Sequence, residues 1–215
     1  MNGKITRTHK AEIGLGQIRN VTRLGDGYIL SLICEDDHAR LIKMSGDGFV
    51  TDAFSYESND CRYFITDMIE YNEKIYLSAY SVPKLEDEEK DAGGRYEIAA
   101  VLNYIFDNRL MGDITDEEVT RLMRENFTAV ILVCDPISGI PKEFYSVEES
   151  IGGKLMIDES NQLVWNVESI TNAFFSPLTS SFSIRSTNMI FRYTFDKSGV
   201  LLNQEKTEEF AVFSR

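Results

Sequence analysis

Long apolar runs are absent from this chain. No stretch reaches the roughly 18 apolar residues that a membrane-spanning helix needs. Positive charge is scarce as well: 22 Lys and Arg stand against 35 Asp and Glu, for a net charge of −13. With no local basic cluster to offset that balance, nucleic acid and anionic membrane surfaces are poor partners. The two histidines, His9 and His38, have no triad setting, and no GxSxG occurs, so nucleophilic hydrolysis lacks its parts. Three cysteines, Cys34, Cys61 and Cys134, show no CxxC spacing. Cys34 and Cys134 end apolar strands, where a cysteine behaves as a small buried hydrophobe. Free thiols are expected, with a disulfide between two of the three left open. The first 14 residues carry basic side chains but no apolar core behind them, so they do not read as a secretory signal. The default expectation is the cytoplasm, or export if the chain is a segment of a longer one. A Gly-rich phosphate loop and an EF-hand loop are both missing, so no cofactor and no metal is implied.

What is present is the composition of a folded globular protein, with 43% hydrophobic and 11% aromatic residues. At 215 residues the chain suffices for one substantial domain or two small ones, and it reads as a single β domain over 1–215. The clearest pattern is one hairpin written three times. Residues 128–147, TAVILVCDPISGIPKEFYSV, give a strand, a tight turn closed by Gly139 and a second strand. Residues 39–56 and 189–207 repeat it, with Gly48 and Gly199 in the turn. Each is preceded by a hairpin with a polar turn, at Asp26, Asn72 or Asn161; in the first, Asp-Gly supplies the positive φ that two-residue hairpin turns need. This predicts three units, about 19–58, 63–147 and 150–215, with residues 12–18 as a short edge strand or lead-in loop.

Residues 83–127 interrupt the second unit. A charged loop leads to a predicted helical hairpin at about 95–126. In its first helix Ile98, Val101, Leu102, Ile105 and Phe106 share one face, and in the second Val119, Leu122 and Met123 turn inward. Thr115 and Glu118 form a capping box for the second helix.

Repeated four-stranded antiparallel meanders resemble the blades of a β-propeller. The resemblance spans about residues 21–207 and rests on strand grammar and turn glycines. Diagnostic blade motifs (a WD dipeptide, a kelch double glycine, an Asp-box) are absent, and three units are fewer than the 4–8 blades of closed propellers. The expected fold class is therefore all-β, made of propeller-like repeated meanders with an inserted helical hairpin.

In a meander, connections alternate between the two strand ends. The short turns fall at one end. At the other fall residues 35–38, the insertion and residues 171–188, with unit-joining loops at 59–62 and 150–153. Long loops on a rigid scaffold are where binding resides, so this is the expected functional face. Its candidate ligand-binding residues are Asp36, Asp37 and His38, with Asp60 and Arg62 from the next loop, and the aromatic pair Phe174 and Phe175. Trp165 alternates with Leu163 and Val167 and reads as core rather than as a sugar platform. With no catalytic set assembled, the leading expectation is a non-catalytic binding or interaction module for an unknown protein or small polar ligand. Its rivals are a propeller-type enzyme acting on a carbohydrate or other polar ligand, and a structural segment of a larger assembly, as a homo-oligomer or part of a longer chain.

Overall fold

The computed structural model describes residues 16–25, 27–34, 39–56, 61–83, 115–135, 141–176, 181–185 and 189–207. The turns build the fold. Strand β1 (Gly16–Leu24) meets β2 (Gly27–Cys34) with Leu24 opposite Gly27. Strands β5 (Cys61–Tyr71) and β6 (Lys74–Pro83) are joined by Asn72 and Glu73, whose φ values of 49° and 61° give the twist that matches two right-handed strands. A second turn form recurs three times. It joins β3 (Ala39–Met44) to β4 (Val50–Tyr56), β9 (Ser150–Ile157) to β10 (Leu163–Ser169), and β13 (Ile190–Phe195) to β14 (Leu201–Thr207). In each, the amides of Gly48, Asn161 and Gly199 donate to the carbonyls of Ser45, Asp158 and Asp196 at 2.9–3.0 Å. All three donors have positive φ, at 87°, 58° and 91°. Asn161 thus does the work of a glycine, as asparagine tolerates the left-handed region better than other side chains.

Together with β7 (Thr128–Cys134) and β8 (Lys142–Glu148), these strands make three four-stranded antiparallel sheets, none closed into a barrel. Their orders are β1-β2-β3-β4, β5-β6-β7-β8 and β9-β10-β13-β14. Between β10 and β13 the chain forms a further two-stranded hairpin, β11 (Asn172–Ser176) and β12 (Ser181–Arg185), where the sequence reading has a loop. Helix α1 (Asp116–Asn126) precedes β7 and is the second half of the expected helical hairpin; the first half, at about residues 96–111, lies outside the described residues, as does Gly139. The amide of Glu118 donates to the Thr115 hydroxyl at 3.2 Å, as the capping pattern requires.

The sheets stack face to face with the second in the middle. Strand β7 is apolar on both faces for this reason. Val130, Leu132 and Cys134 pack with Ile29 and Leu41 of the first sheet, while Ala129 and Ile131 pack with Leu163, Trp165 and Phe195 of the third. Each such Ile or Leu contributes about 1.5–3 kcal/mol of burial, so the middle sheet anchors both neighbours. First strands lie beside first strands. The Thr22 hydroxyl of β1 donates to the Met68 carbonyl of β5 at 3.1 Å, and the Leu155 amide of β9 donates to Asp67 of β5 at 2.8 Å. Gly152 lets β9 come this close, because a Cβ there would sit 2.4 Å from the Ala79 carbonyl oxygen.

Several boundaries differ from the sequence reading. Residues 16–18 belong to β1, whose register shift between Ile18 and Asn20 breaks the alternation that marks a strand. Residues 150–153 are strand rather than a joining loop; Glu149 alone, at a φ of 53°, links β8 to β9.

Candidate functional site

The two ends of the stack are built differently. At the short-turn end the second and third sheets are tied by polar contacts to backbone: the Tyr71 hydroxyl donates to the Asn161 carbonyl at 2.8 Å, and the Asn72 amide group donates to the Lys197 carbonyl at 3.5 Å. At the opposite end α1 packs against β11 and β6. Val119 and Met123 of α1 join Val82, Phe127 and Ile170 in a separate apolar cluster there, with Phe64 and Tyr80 stacked 4.9 Å apart at its side. Glu149 is the node of this end. Its carbonyl accepts the Ile170 amide at 2.9 Å, and its carboxylate accepts the Arg124 Nε at 2.7 Å.

A surface concavity of about 240 Å³ lies over α1, lined by Glu117, Thr120, Arg121, Arg124, Glu125 and Glu149. Its cations are already engaged: Arg121 is bound by Glu125 at 2.8 and 2.9 Å, and Arg124 by Glu149. Paired, exposed ions of this kind hold a surface in place and offer no activated acid, base or nucleophile. Among the described residues no group of His, Cys, Asp and Glu is placed to hold a metal ion.

Perturbed groups lie elsewhere. Burial pushes the Asp67 carboxyl above its ordinary value, against the lowering effect of the Leu155 and Met68 amides and of Lys154. Both its oxygens are committed to backbone, Oδ1 to Met68 and Oδ2 to Leu155, so the group is a tie between first strands. The Cys134 thiol is pushed up to about 11, first by burial and then by Asp135, which makes it inert as a nucleophile. Cys61 and Cys134 are both free, and Trp165 is fully buried in the core, as read from sequence.

Of the sequence-derived candidates, Asp36, Asp37, His38 and Asp60 lie outside the described residues. Arg62, expected in a loop, is the second residue of β5 and pairs with Val82. Phe174 and Phe175, also expected in a loop, lie in β11 opposite Ser183 and Phe182. The backbone thus brings β11 against α1, at the end where β5 begins. The α1 concavity was missed from sequence, although Arg121 and Glu125 at i, i+4 are a legible helix-surface pair.

No protein-family model matches the chain, and no curated protein matches it. Among solved structures, it superposes on the crystal structure of an ACO/RPE65 chimera with a TM-score of 0.41 at 11% identity. That superposition covers 89% of this chain and 38% of the chimera's.

Proposed function

We propose that the protein is a non-catalytic binding module of propeller-like architecture, taking a protein or small polar ligand at the end that carries its long connections. The propeller-like reading is supported by face-to-face four-stranded meanders whose first strands lie side by side. The observation that carries the binding role is the asymmetry of the ends. One end spends its polar groups on tying turns together. The other receives the two longest connections of the meanders, between β6 and β7 and between β10 and β13, with a helix and an added hairpin. Rigid sheets beneath variable connections are a common basis for recognition. Asp36, Asp37 and His38, Asp60, Arg62, Phe174 and Phe175 are the side chains proposed to meet the ligand.

A thermal-shift screen of mono- and oligosaccharides and small polar metabolites tests this. The probes are the wild-type chain, a variant carrying Asp36→Ala, Asp37→Ala and His38→Ala, and an Asp47→Ala control in a short turn. The expected result is a ligand that raises the midpoint of the wild type and the control but not of the triple variant. A shift retained by the triple variant and lost in the control sinks the assignment of the end. Chemical conversion of a stabilising ligand replaces the binding module by the enzyme.

A further inference from the structure

We draw no further inference here: the strongest candidate, the buried polar patch of Asn166, Glu168 and Thr194 on the face of the third sheet turned away from the second, where the Asn166 Oδ1 has no hydrogen-bond partner among the described residues, carries no ligand because nothing in the structure shows what covers it.

Discussion

The indole Nε1 of Trp165 donates to the hydroxyl of Ser78 at 2.8 Å across the boundary between the second and third sheets. Both residues are fully buried, and the same hydroxyl accepts from Thr66 at 3.0 Å. Trp165 is the chain's single tryptophan, so its fluorescence reports on this boundary alone. Ser78→Ala leaves a buried N–H with no acceptor and is expected to cost about 1–3 kcal/mol. Urea unfolding followed by tryptophan emission measures it; an unchanged midpoint means that the bond contributes nothing net.

Gly152→Ala is expected to be among the most damaging single-methyl changes in the chain. Its Cβ would meet the Ala79 carbonyl oxygen at 2.4 Å and the Ser78 hydroxyl at 2.7 Å. The first of these is backbone and cannot rotate away, so β9 must retreat from β6. A loss at or above the upper end of the ~1–3 kcal/mol typical of overpacking is expected, read from the same urea curves.

The three recurrent turns make a graded series. Asn161→Gly removes a side chain from a left-handed residue and is expected to change stability by a few tenths of a kcal/mol at most. Gly48→Ala imposes that conformation on alanine and is expected to cost about 1–2 kcal/mol. Gly199→Ala is expected to cost more, since its Cβ would also lie 2.6 Å from the Phe144 ring. Thermal midpoints in the reverse order would rule out backbone conformation as the common cause.

Two aspartates pull the pH dependence in opposite directions. Asp67 is raised above its unfolded value, mainly by burial, so the folded state takes up its proton first. Its contribution is therefore greatest below the unfolded value of 3.8 and is lost as pH rises through the folded value. Asp196 is lowered, first by the Ser198 hydroxyl and then by the Val200 amide. Its contribution is present above 3.8 and is lost as pH falls through the folded value. Subtracting the stability–pH curve of Asp67→Asn from that of the wild type should leave a difference that declines with rising pH just above 3.8. The Asp196→Asn difference should instead rise with pH below that value.

Cys134, with its thiol at about 11 and its side chain buried, is expected to resist alkylation in mildly alkaline buffer until the chain unfolds. Mass-mapped labelling with iodoacetamide, with and without urea, checks this. Modification at native-state rates would mean that the face between the first two sheets opens readily.

The sequence announced most strands because their turns have a local chemistry. Gly48, Gly199, Asn72 and Asn161 mark positive φ by residue type, and β7 and Trp165 show burial by apolar pattern. Helix α1 was legible from Thr115 and Glu118. The β11–β12 hairpin was not: its strands are five residues long, set in a Ser- and Thr-rich stretch, and no local period separates them from loop. The stacking order was equally hidden, since the contacts of Thr22 with Met68 and of Asp67 with Leu155 span 46 and 88 residues. Four of the seven site candidates, Asp36, Asp37, His38 and Asp60, fall outside the described residues, so the sequence argument for them stands alone.

The pairing of β6 with β7 runs without a break from Ile75 opposite Cys134 to Ser81 opposite Thr128. The chain therefore departs from the sheet and returns to it at neighbouring points, whatever is threaded between them. In engineering terms this is a socket. The same doorway is where a lineage would acquire new recognition without having to refold its scaffold.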